Sequence, residues 1–86
     1  MMIPTVHLNG TGKQNLLKEL EVAYAAVGTT IDVLRQVTVH GRDFYPQGDH
    51  AYPQARIEMD ARLSALSAIQ DDLLTMHLAI DKQGRD

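Results

Sequence analysis

The chain has 86 residues, no cysteine and a formal net charge of -3, with eight Lys and Arg set against eleven Asp and Glu. A domain of this size buries too little apolar surface to be comfortably stable without a staple or a partner. Disulfides and cysteine-based metal sites are excluded, so oligomerisation is the remaining common remedy. The acidic balance and the scattered basic residues argue against duplex nucleic acid as the partner.

The start, Met1 to Leu8, has no basic residue and no long apolar run. It reads neither as a signal peptide nor as a membrane span, and a soluble cytoplasmic protein is expected. Thr5-Val6-His7-Leu8 alternates like a short extended segment and Asn9-Gly10 turns the chain, which makes residues 1–10 an extended lead-in.

Residues 11–39 are expected to form the first helix. Thr11 and Gln14 have the spacing of a capping box. Leu17, Leu20, Tyr24, Val27, Ile31 and Leu34 then recur in steps of three and four, the seam of a paired helix. A second stripe of mostly small residues runs beside it: Leu16, Ala23, Ala26, Thr30, Val33 and Val37. Gly28 lies next to this band, where close packing or a kink would account for it.

Residues 53–82 are expected to form the second helix, with Pro53 in its first turn and Gly84 as its stop. Met59, Leu63, Leu66, Leu73 and Ile80 make its main stripe, widened by Ile69 and Met76. The predicted fold is therefore all-α: one domain, an antiparallel two-helix hairpin with similar arm lengths and an extended N-terminal segment. Each arm has more than one apolar stripe, so closure by oligomerisation into a helical bundle is expected.

The connection, residues 40–52, is too rich to be a plain turn. Together with the flanking Pro53 it holds the only Phe, two of the three Tyr, two of the four His and two of the three Pro. Phe44, Tyr45 and Tyr52 offer flat faces on which a base can stack. Arg42 offers a planar fork for phosphate or carboxylate. His40 and His50 add donors near neutral pH, and Gly41 and Gly48 let backbone N–H groups approach an anion. These are the parts of a nucleotide or phosphorylated-metabolite pocket. The competing reading is a plug, in which the aromatics fold back over the open end of the bundle.

Other candidates are weaker. Gly10-Thr11-Gly12-Lys13 lacks the first Gly, the Ser or Thr after Lys13 and the preceding strand of a phosphate-binding loop, although Lys13 at a helix start would still suit an anion. His40, Asp43, Asp49 and His50 match no metal-ligand spacing, and no metal or cofactor is expected. His77 reads as a hydrogen-bonded interface residue and Asp71-Asp72 as a solvated face. With no activated nucleophile and no acid pair outside Asp43 and Asp49, the chain reads as a binding protein and not as an enzyme.

The segments Ile3-Pro4-Thr5-Val6-His7-Leu8-Asn9-Gly10-Thr11 and Gly41-Arg42-Asp43-Phe44-Tyr45-Pro46-Gln47-Gly48 resemble small proteins of tailed bacteriophages and prophages. In size and hairpin organisation the chain is also similar to phage sponge proteins that oppose the CBASS and Thoeris immune systems. That resemblance implies a homo-oligomer in the cytoplasm of an infected bacterium, sequestering a small nucleotide-type signal without cleaving it. It transfers no residue. The alternative is a protein–protein interaction module, an inhibitor of a host enzyme or complex or a virion assembly part, anchored by the loop aromatics.

Overall fold

A computed structural model describes residues 1–84. The described chain contains helix α1 (Lys13–Arg35), a single-turn helix α2 (Gly41–Phe44), a 3-10 turn (Tyr45–Gln47) and helix α3 (Ala51–Asp81). No strand occurs among the described residues. Contacts at two levels fix α1 and α3 as antiparallel: Lys13 reaches Gln83, and Gln70 reaches Tyr24.

Both arms differ in extent from the sequence reading. α1 starts at Lys13 because the Thr11–Gln14 box does not form; Gly12 is the cap residue, in extended conformation and with no side-chain bond. It ends at Arg35 instead of 39. Gln36 turns its N–H back to the carbonyls of Val33 and Leu34, and the β-branched run Val37-Thr38-Val39 that follows disfavours further helix. α3 starts two residues early, at Ala51, so Pro53 stands at its third position, where an N–H has no helical acceptor anyway. The arms are therefore unequal, 23 residues against 31. The difference of eight residues leaves about 12 Å of α3 without α1 beside it, and the connection lies along that overhang.

The seam falls where its periodicity placed it except at Tyr24, which is exposed. Leu17, Ile31 and Ile80 are buried, and Leu20, Val27, Leu34, Met59, Leu63, Leu66 and Leu73 are half-buried. Gly28 admits the Gln70 side chain: a Cβ there would lie 2.9 Å from Gln70 Nε2, which donates to the Tyr24 carbonyl at 3.4 Å. Close approach, and not a kink, is the use of this glycine. The second stripe of α1 is covered only at its start, where Leu16 and Ala23 are half-buried. Val33 and Val37 are exposed, as are Ala26 and Thr30, and Ile69 is exposed on α3.

The lead-in is tied to the far end of α3. Gln83 accepts from the Val6 N–H at 2.8 Å and donates to the Pro4 carbonyl at 2.7 Å, while Lys13 Nζ donates to the Gln83 carbonyl at 2.7 Å. α3 carries no basic residue in its own last turn, so Lys13 supplies the cation that the negative end of the helix favours. Gln83→Ala removes both side-chain bonds and is expected to cost about 1–2 kcal/mol at roughly 1 kcal/mol each. Amide hydrogen exchange checks it: the Val6 N–H should lose its protection while amides in the middle of α1 keep theirs.

Candidate functional site

The connection is a folded element. His40 begins α2: its Nδ1 accepts from the Arg42 N–H at 3.1 Å. This caps the turn and leaves the other ring nitrogen outward. Pro46 enters the 3-10 turn in its first positions, where its fixed φ fits, and Gly48 ends it at φ 106, a left-handed conformation that favours glycine. The Tyr52 ring lies 3.8 Å from where a Gly41 side chain would begin, so Gly41 lets the start of α3 close against α2.

These turns divide the aromatics between two roles. Phe44 is half-buried and Tyr52 is 38% exposed against Gly41, so both help hold the end of the hairpin. Tyr45 is 84% exposed. Two adjoining concavities share Gly41 and Tyr45. One, of about 200 Å³, is lined by Gly41, Phe44, Tyr45, Gly48, Asp49 and Tyr52; the other, of about 370 Å³, is a shallow shelf formed by Gly41, Arg42 and Tyr45. The larger reaches the lower end of the roughly 300–1,000 Å³ spanned by ligand pockets, but only three residues line it. A single chain thus offers a stacking face and a cation on an open surface, and no enclosure.

Of the candidate ligand residues, His40, Arg42, Phe44, Tyr45, His50 and Tyr52 belong to this one end. The His50 ring stands 3.5 Å from where a Gly48 side chain would begin. Lys13 stands apart, at the opposite end of α1 and engaged with Gln83. No group of three or more His, Asp or Glu side chains among the described residues is arranged to hold a metal ion. No helix of the described chain is long and apolar enough to cross a membrane.

A second depression lies in the middle of the hairpin, a groove of about 160 Å³ lined by Leu20, Glu21, Tyr24, Leu73, Leu74 and His77. His77 Nε2 is buried without a hydrogen-bond partner, and Glu21 Oε1 approaches it at 3.5 Å in a geometry too loose for a hydrogen bond. His77 is thus at the edge of the seam, but not in the hydrogen-bonded state its position suggested. The groove was not legible in the sequence, because pairing Glu21 with His77 requires the register between α1 and α3. No family model, curated protein or solved structure matches the chain.

Proposed function

We propose that this protein is a non-enzymatic, homo-oligomeric binding protein whose hairpin loop captures a small nucleotide-type anion and sequesters it, in the manner of the phage sponge proteins it resembles, within the cytoplasm of an infected bacterium. The carrying observation is Tyr45, 84% exposed beside Arg42 over the open floor of Gly41. A tyrosine in that position adds little to folding, because almost none of its ring leaves water. It is placed to stack on a ring while the Arg42 guanidinium takes a phosphate.

Oligomerisation is supported by the surface. The described chain exposes 6557 Å², whereas a compact monomer of 9.5 kDa would expose about 5,000 Å². Its radius of gyration is 19.0 Å, against about 12 Å for a compact domain of this length. The excess of about 1,500 Å² exceeds the roughly 800 Å² that each partner contributes to a standard interface. Assembly also supplies the walls that the open loop site lacks.

Titration calorimetry of the oligomer against a panel of cyclic dinucleotides and ADP-ribose derivatives tests the reading. Saturable binding of at least one member is expected, and an intact oligomer that binds none of them defeats it. The same exposed Tyr45, with Ile57 63% exposed on the first turns of α3, also suits an anchor in a protein partner. A stoichiometric host protein retained without any small molecule would favour that second reading.

A further inference from the structure

The outer face of α1 has a pattern that the loop site does not use. From Val22 to Ile31 there is no charged residue, yet Val22, Ala25, Ala26, Thr29 and Thr30 are all exposed. The outer surface of α3 is mixed: Ile57, Ile69, Leu74 and Leu78 are exposed on it, but so are Arg56, Glu58, Asp60, Arg62, Asp71 and Asp72. The two threonines of α1 make no demand on water through that face. Thr29 Oγ1 donates to the Ala25 carbonyl at 3.2 Å and Thr30 Oγ1 to the Ala26 carbonyl at 3.0 Å, which turns their methyl groups into part of the surface.

The order of residues on this face is symmetric. Reading outward from the midpoint between Thr29 and Thr30, Ala26 mirrors Val33, and Val22 mirrors Val37, which stands two residues past the end of α1. Val22, Val33 and Val37 are each more than half exposed. A two-fold contact requires that residue i of one copy meet j of the other while j meets i. An uncharged stripe with this mirror order meets that condition when two copies of α1 cross antiparallel, and opposed helix dipoles favour the same direction. The occupant must also be present whenever the chain folds, because only Leu17, Ile31 and Ile80 are buried within the described chain. A second copy is such an occupant.

We infer that α1 packs antiparallel against α1 of a second copy through Val22, Ala26, Thr29, Thr30 and Val33, with Val37 just past its end, and that this contact lays the start of each α1 over the loop of the other copy. The consequence for the loop follows from lengths. α1 of one copy ends at Arg35, and beyond it the loop lies along the overhang of α3. Lys18 is about 17 Å from the symmetry point at 1.5 Å per residue. In the antiparallel pair, that distance places Lys18 of the second copy beyond the end of the first α1, alongside Gly41 and Arg42. The site would then gain a cation that its own chain keeps at the other end. The inference deepens the oligomeric part of the proposed function and rests on it, but it does not depend on which ligand binds.

The absence of cysteine makes the test clean, since each single-cysteine variant carries one thiol per chain. Under mild oxidation of the folded protein, Thr29→Cys or Thr30→Cys should form a covalent dimer, because these positions face themselves near the axis. Val22→Cys should cross-link at least tenfold more slowly, since the two copies of Val22 would stand about 22 Å apart, well beyond the Cα separation of roughly 4.4–6.8 Å that a disulfide spans. A mixture of Lys18→Cys and Arg42→Cys chains should give the mixed disulfide. Cross-linking of Val22→Cys as fast as the threonine variants, failure of both threonine variants, or a monomeric mass of the wild type by light scattering overturns the interface. A missing mixed disulfide overturns the shared site alone. Calorimetry without binding, beside the expected cross-linking pattern, would defeat ligand capture and leave the interface standing.

Discussion

Replacing Ile80 with Ala is expected to destabilise the protein by about 3–4 kcal/mol, within the range for truncating a fully buried Ile. Ile80 is the only described residue with no exposed surface. It sits three residues before Gln83, where α1, the end of α3 and the lead-in meet. Truncation there leaves a void that has little chance to collapse, because Gln83 and Lys13 hold the surrounding segments in place. The native state of an 86-residue chain is worth roughly 4–13 kcal/mol at 0.05–0.15 kcal/mol per residue. One side chain therefore carries a large share of the total. Urea unfolding followed by circular dichroism checks it: the midpoint should fall with the slope unchanged. Leu8→Ala is the control at the same end of the molecule. Leu8 is fully exposed, so its variant should unfold within about 0.5 kcal/mol of the wild type.

The seam around Ile80 was legible because helical periodicity records which residues share a face, and the alternating steps from Leu17 to Leu34 needed no knowledge of the partner. The same periodicity marked Ala26, Thr30 and Val33 as surplus, and they are exposed. What periodicity does not carry is register. Nothing in the sequence sets Gln70 against Gly28, Glu21 against His77, or Gln83 against Pro4 and Val6, since each contact depends on how far one arm is slid along the other. The helix ends differ from the periodic pattern for a local reason. The Thr11–Gln14 spacing is necessary for a capping box but not sufficient, and Gly12 took the cap position with no side-chain bond. At the other end, Val37 continues the apolar stripe, but the β-branched run from Val37 to Val39 has poor helix propensity and the helix stops at Arg35. The loop was recognised by composition, but its folding into α2 and a 3-10 turn depends on the His40 cap and the left-handed Gly48, which spacing does not reveal.

That folded loop makes opposite predictions for two neighbouring aromatic residues. Phe44 is half-buried against the end of the hairpin and Tyr45 is 84% exposed. Phe44→Ala should cost stability, about 1–3 kcal/mol for a partly buried ring. Tyr45→Ala should leave the unfolding midpoint within the scatter typical of surface changes. Binding should respond in the other order. Loss of one stacked ring is worth about 1–3 kcal/mol per base, so Tyr45→Ala should weaken capture of a nucleotide-type ligand by at least tenfold, at 1.4 kcal/mol per factor of ten. Arg42→Ala should weaken it comparably, since a hydrogen bond to a charged group contributes roughly 1.5–3 kcal/mol. Paired unfolding curves and titrations of the same preparations separate the two roles. Tyr45→Ala with lowered stability and unchanged binding would make the whole loop a plug. Stability unchanged and binding lost would assign the two concavities about Gly41 to the ligand, with Phe44 and Tyr52 as their wall.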